Sequence, residues 1–464
     1  MSKAEKTNSQ NQDLQDEKMN RITENKSSKS ANAENPASDK WEIPSDWEVK
    51  ALYEIGDVSS GGTPDTTNEI FWNGNINWCT PTDITKLNGS KYIGETVVKI
   101  TNAGLKNSSA RLLPIGSVIV CTRATIGKAA ISNKEISTNQ GFKNIIPNKK
   151  ANTDFLYYSI LNSENKLLRL GNGSTFLEIS KNDFEKFKIS LPPFPEQTAI
   201  AQLLSTWDNA ITKTQALIAQ KEQLKKWLMQ NLLTGKMRLK INDELGVIND
   251  ELKKVNLKDV FQFIKSYSIS REGLKISKDK NSTYCIHYGD IHSLYENDFL
   301  DFAKQHNIPQ LRNEISINET DYLKDGDIIM ADASEDYDGV GEAVEVCNLE
   351  HRKAIGGLHT IVLRGNTKII SPNYSAYLFS SENVRNKLRK MANGTSVYSV
   401  SKSTLHNLSL IIHNSLKEQT AIAKVLQAAD KEIQLLKTKC DKLKEQKKGL
   451  MQVLLTGKKR LIIK

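Results

Sequence analysis

Cysteine is scarce in this chain and never paired. Its five cysteines (Cys79, Cys121, Cys285, Cys347 and Cys440) are scattered, odd in number and nowhere arranged as CxxC. That excludes a disulfide scaffold and a zinc ribbon, and fits reduced thiols in a cytoplasmic protein. No run of eighteen apolar residues occurs, so no membrane-spanning helix is expected. Residues 1–40 contain no apolar stretch of the kind a secretory leader needs. Leu14, Met19 and Ile22 are almost their only large apolar side chains, and the segment reads as a disordered tail. All seven histidines lie after residue 280; His287 and His292 stand five apart without the glutamate of a helical metal motif, so no metal site is expected.

Catalytic signatures are missing as well. Ser59-Ser60-Gly61-Gly62-Thr63 lacks the Lys-Ser/Thr ending of a phosphate-binding loop, and no glycine fingerprint for AdoMet is present. Leu191-Pro192-Pro193-Phe194 has the outline of an amino-methyltransferase motif. However, Leu191 stands where an amide or carboxylate must bond the target amino group, so the segment reads as a structural turn. Asp332, Glu335 and Asp336 have no downstream acid-x-Lys partner of a nuclease. No catalysis by this chain is expected.

What the chain has is a duplication. At 464 residues it exceeds what one hydrophobic core serves. Residues 196–239 and 418–461 align without a gap, and about half their positions are identical. Identity gathers at the ends, in EQTAIA and in LMQ-LLTGK-RL, while the middles diverge. Blocks upstream correspond more loosely: Leu113–Val120 with Leu323–Met330, Gly171–Thr175 with Ala392–Ser396, Ile179–Phe184 with Val400–Leu405, and Trp47–Tyr53 with Val255–Phe261. The formal net charge of +10 is permissive for nucleic acid without proving it, and its excess sits in 196–238 and 418–464.

In the second copy Ile433, Leu436, Cys440, Leu443, Lys447, Leu450 and Leu454 follow three- and four-residue steps, the seam of a coiled coil with a polar interruption at Lys447. Its counterpart is Ile211, Thr214, Ile218, Lys221, Lys225, Leu228 and Leu232. Neither seam is strong alone; two antiparallel copies would bury each other. Short β-rich runs (117–121, 143–146, 327–330, 360–363) alternate with helical stretches (153–170, 373–391), broken by Gly, Asn and Pro. The fold expected is α+β: two tandem mixed α/β domains, separated and followed by long helices that form an antiparallel coiled coil. The boundaries expected are a tail over 1–40, a domain over 41–195, a helix over 196–238, a linker over 239–254, a second domain over 255–417, and a second helix with C-terminal tail over 418–464.

This doubled arrangement closely resembles the specificity subunits of type I restriction–modification systems, over residues 41–464. The residues that carry the match are Leu191-Pro192-Pro193-Phe194-Pro195-Glu196-Gln197, the paired EQTAIA and LLTGK-RL blocks, and an Asn-Gly-Ser/Thr loop before each helix. The second copy departs from it, entering through His413-Asn414-Ser415-Leu416-Lys417-Glu418 without prolines. The resemblance implies two target-recognition domains, each reading half of a split double-stranded DNA site. It implies helices that act as spacer and dock two methyltransferase subunits, with two nuclease/translocase subunits able to join. AdoMet, ATP and Mg²⁺ would belong to those partners and none to this chain. The competing reading is a coiled-coil adaptor whose repeated domains bind protein.

For DNA contact, Arg123, Thr125 and Lys128 follow an apolar strand; arginine reads guanine bidentately, while Thr and Lys reach phosphate or methyl groups. A solvated loop explains them equally well. Asn139 and Gln140 suit adenine, or cap a turn. In the second domain Ser334, Tyr337, Arg352, Lys353 and His359 are comparable candidates. Ser174, Thr175 and Lys181 recur as Thr395, Ser396 and Lys402, with phosphate anchoring slightly favoured over a role in folding.

Overall fold

The computed structural model describes residues 43–171, 177–239, 251–277, 279, 282–295 and 298–461, together with the backbone of 242–243 and 246–247. The tail expected over 1–40 and the loop residues Ser174 and Thr175 lie outside the described residues. Two compact units emerge. The first comprises residues up to Ile84, Gly94–Ile200 and Gln452 onward; the second comprises Thr85–Ile93 and Ala201–Met451. These limits differ from the linear domains drawn on the sequence, because contacts, not chain order, define them. Residues 452–461 pack into the first unit, and Lys91 reaches Ser205 of the second at 2.8 Å.

In the first unit Val118–Cys121 lies between Phe142–Pro147 and Ala129–Ser132, and Gly56–Ser60 pairs with Phe142–Pro147, all antiparallel. The second unit repeats this order: Ile328–Ala331 lies between Thr360–Gly365 and Ala343–Cys347, with Phe261–Ile264 beyond Thr360–Gly365. The central strands are apolar throughout and wholly buried, as strands covered on both faces must be. Each unit also closes with an antiparallel pair just ahead of its long helix, Glu48–Ala51 with Lys188–Leu191 and Leu252–Asn256 with Ser409–His413. The helical stretches expected over 153–170 and 373–391 are each broken into two: Thr153–Asn162 and Glu164–Leu168, then Tyr374–Ser380 and Glu382–Met391. A serine, Ser163 or Ser381, stands at each break.

The first long helix runs Phe194–Leu232 and the second Leu416–Leu454. Pro195 is accommodated in the first turn, where its missing N–H has no helical partner to lose. Within the second unit the two helices pack antiparallel: Asp208 meets Lys447, Lys221 meets Glu432 at 2.7 Å, Glu222 meets Lys437 at 2.8 Å, and Lys225 meets Asp430 at 2.7 Å. The seam is the one the heptads announce. Ile433, Cys440 and Leu232 are buried, and Ile211, Ile218, Leu228, Leu436, Leu443 and Leu450 are half-buried against solvent-exposed flanks; Leu454, also buried, falls in the first unit. The polar seam residues are matched across it, since Lys447 and Lys225 both find carboxylates.

The repeated blocks at the helix ends are explained by side chains. Gln197 Nε2 donates to the carbonyls of Lys150 and Pro192, and its Oε1 accepts the Asn152 N–H at 2.8 Å. Gln419 does the same in the second unit, donating to Ile369 and His413 carbonyls and accepting from Ser371 N–H at 2.7 Å. Glu196, buried, accepts both Nε and Nη2 of Arg460 at 2.7 Å, while Asp46 accepts from Nη1 and Nη2 of the same guanidinium. Glu418, also buried, accepts Arg238 Nε at 2.7 Å and Nη2 at 2.6 Å. Each clamp joins the glutamate of one EQTAIA block to the arginine that ends the other copy.

Candidate nucleic-acid interface

Most of the candidate polar side chains gather at one end of each sheet, where the central strand leaves the core. In the first unit Cys121 leads into a tight hairpin, Thr122–Lys128, closed by Gly127 N–H on the Cys121 carbonyl at 3.0 Å. Ala124 takes a φ of 61° and Gly127 a φ of 87°. A Cβ on Gly127 would lie 2.9 Å from the Glu164 side chain, so this hairpin seats closely on a helix. Arg123 is half-buried and bridges by its backbone to Glu178; Thr125 is half-buried and Lys128 exposed. Beside them, Asn139 is spent on a turn, its Oδ1 accepting Gly141 N–H at 2.9 Å, and Gln140 bonds Thr63. Lys143, nearly buried, faces Glu178 at 3.6 Å, and burial pushes its ammonium below the usual lysine range.

The second unit reproduces this end with other chemistry. Thr122 N–H donates to the Gly141 carbonyl and Ile179 N–H to the Thr122 carbonyl; Asp332 N–H likewise donates to His359 and Val400 N–H to Asp332. Asp332 thus stands where Thr122 does, and His359 where Gly141 does. Ala333 and Ser334 then pair with Ser399 and Tyr398. Ser334 is buried and its Oγ accepts the Asp336 N–H at 3.3 Å, so it supports the loop and does not face solvent. Tyr337 is exposed and packs edge-on to Tyr398, centroids 5.3 Å apart. Asn393 and Ser399 exchange two backbone bonds, which leaves Gly394, Thr395 and Ser396 exposed at a hairpin tip. Gly394 has a φ of 131°, and a Cβ there would meet the Val397 carbonyl at 1.9 Å. The glycine is therefore required by the fold.

Two candidates lie elsewhere. Arg352 and Lys353 precede the strand Ala354–Gly356, while His359 follows it. The Arg352 guanidinium donates to the Asn348 and Leu349 carbonyls and meets Glu350 at 3.3 Å; Lys353 meets Glu319 at 3.6 Å and lies over Tyr322. The Arg352 charge serves its own turn, and that of Lys353 faces the segment Glu319–Tyr322. Lys181 and Lys402 are exposed at the starts of matching short helices, Lys181–Glu185 and Lys402–His406, capped by Ser180 and Ser401.

The model of the type I restriction modification DNA specificity domain matches this chain twice, over residues 44–223 and 249–445. The chain belongs to that family. The MjaIX specificity subunit of Methanocaldococcus jannaschii is 34% identical over 53% of this chain, a match spanning only 55% of that protein's own length. The MjaVIII specificity subunit of the same organism is 26% identical over 90% of the chain and 94% of its own length. Two solved structures share the fold: the S subunit of the type I system of M. genitalium (13% identity, TM-score 0.50, 91% of this chain and 98% of that one) and a chain from a study of complex assembly and conformational transition in a type I system (15% identity, TM-score 0.56, 90% and 99%). Each family match falls on one of the chain's repeated domains.

Sequence reasoning about this specificity subunit missed a histidine–tyrosine cluster beside the second loop. His292 Nδ1 meets Glu342 Oε2 at 2.6 Å and its Nε2 meets the Ala333 carbonyl at 3.1 Å. The Glu342 hydrogen bond, with the Ala333 carbonyl, raises His292 above the usual histidine range in spite of burial. Tyr288 stands edge-on to His292 and to His359, and tilts against His287. The five-residue spacing of His287 and His292 was the one available signal; it pointed away from metal but not toward Glu342, fifty residues downstream.

Proposed function

We propose that this specificity subunit reads a bipartite double-stranded DNA target, one half through each repeated domain, while its helices dock two methyltransferase subunits and allow two nuclease/translocase subunits to join. AdoMet, ATP and Mg²⁺ would then act in those partners, and the complex would work in the cytoplasm. The observation that carries this reading is the pair of matching sheet ends. The scaffold is the same in both units, while the side chains it presents differ: Arg123 and Lys128 in one, Asp332, Tyr337 and His359 in the other. A common frame with exchanged polar groups is what two different base sequences require.

The test is a methylome. Exchanging residues 41–195 for the corresponding domain of another family member should alter one half of the methylated motif and leave the other intact. A change in both halves, or in neither, refutes the reading. The adaptor alternative has no specific observation in its favour.

A further inference from the structure

His359 is held in an unusual way. It sits one residue ahead of the strand Thr360–Gly365 with a φ of 54°, a left-handed conformation that non-glycine residues seldom adopt. Strain of this kind persists where the surroundings over-determine it, and it gathers at binding sites. Its surroundings do so on three sides. The His359 carbonyl accepts Asp332 N–H at 3.1 Å, the imidazole Nδ1 lies 3.1 Å from Asp332 Oδ1, and the ring meets the edge of Tyr288 with centroids 5.3 Å apart. The side chain nevertheless stays about half exposed, at 49%. In the first unit the matching positions are Gly141 and Thr122, joined by the same backbone bond at 2.9 Å but offering neither imidazole nor carboxylate.

A carboxylate against Nδ1 keeps the proton of a neutral ring on Nδ1, and Nε2 becomes an acceptor. The base edges that offer a hydrogen to an acceptor in the major groove are adenine N6 and cytosine N4. His292, nearby, cannot serve this way, since both its nitrogens are engaged by Glu342 and the Ala333 carbonyl. We propose that His359, oriented by Asp332, is a specificity-determining residue that reads the exocyclic amino group of an adenine or cytosine in the half-site bound by the second domain. This rests on the bipartite reading above.

The experiment uses the full chain, expressed with methyltransferase subunits of a type I system, and reads the methylome. His359→Ala should relax one position of the second half-site, lowering the preference for its amino-bearing base about tenfold, a typical size for one lost base contact. The first half-site should not change. Asp332→Asn replaces an obligate acceptor by an amide that can donate to Nδ1, which lets the ring carry its proton on Nε2, and should shift the same position toward the keto bases guanine and thymine. His359→Asn tolerates the left-handed backbone and controls for folding. It should relax the same position with the protein at normal abundance. An unchanged motif in His359→Ala and His359→Asn overturns the proposal, and an unchanged motif in Asp332→Asn overturns the orienting role. Exchanging residues 255–417 as a block separates the two levels. If the block changes the second half-site and the His359 variants do not, only this proposal fails; if the block changes nothing, the bipartite reading fails with it.

Discussion

Arg238→Ala removes one partner from a carboxylate that has almost no access to water. Glu418 is 4% exposed at its side chain and Arg238 37%, joined by two parallel hydrogen bonds of 2.6 and 2.7 Å. A fully buried pair broken on one side costs about 3–5 kcal/mol, and an exposed pair about 0–1 kcal/mol. The arginine's partial exposure lowers the expectation to about 2–4 kcal/mol, because water can reach part of the vacated space. After the substitution His413 Nε2, 3.9 Å from Glu418, remains as a neighbour. Replacing both residues by methionine removes the stranded charge along with its partner, and should return stability to within about 1 kcal/mol of the natural protein. Hydrogen exchange of the segment Ile422–Leu426 in the full chain reports the opening free energy of that region directly, without assuming that the whole molecule unfolds in one step. A loss below about 1 kcal/mol in Arg238→Ala, the figure for a surface ion pair, would refute the reasoning.

Further outcomes are expected. Arg123→Ala should weaken binding by about 1–3 kcal/mol if the guanidinium reads a guanine, and relax one position of the first half-site only; fluorescence anisotropy on the cognate duplex with a methylome checks both. Leu232→Ala, at a fully buried seam position, should cost about 2–5 kcal/mol by urea titration, more than any change at exposed Leu435. His292 has its folded-state pKa raised by Glu342, so its stabilising contact with the Ala333–Ser334 strand is complete below about pH 6.5 and fades as pH rises through the higher folded value. Exchange at Ser334–Tyr337 should therefore quicken on the alkaline side, and His292→Gln should flatten that dependence. The purified chain with AdoMet, ATP and Mg²⁺ should transfer no methyl group and cut no DNA.

The helices were legible because period and duplication reinforce one another. Heptad steps place Ile433, Cys440 and Leu454 on one face, and that face is the buried one. The core strands were legible for a similar reason, since Val118–Cys121 and Ile328–Ala331 are short apolar runs between turn residues. The purpose of the EQTAIA glutamates was not, because Arg238 lies 180 residues from Glu418, and Arg460 264 residues from Glu196. Nor could Arg352 and Lys353 be separated from His359 by sequence. The three-residue strand Ala354–Gly356 stands between them in the chain, and only its pairing with Tyr284–Ile286 shows it. The Asn-Gly loop was weighed toward phosphate anchoring; the crowding at Gly394 supplies a folding reason that applies whatever the exposed Thr395 and Ser396 do.

The clamp on Glu196 also sets an order of events during synthesis. Arg460, which neutralises that carboxylate, is made 264 residues after it. At about 5–20 residues per second, the roughly 260 residues between them take on the order of 13–50 s to make. Through that interval Glu196 waits for its cation, whereas both residues of the second unit's clamp, Arg238 and Glu418, have been made once Glu418 is added. The half that is translated first is therefore the half that is finished last.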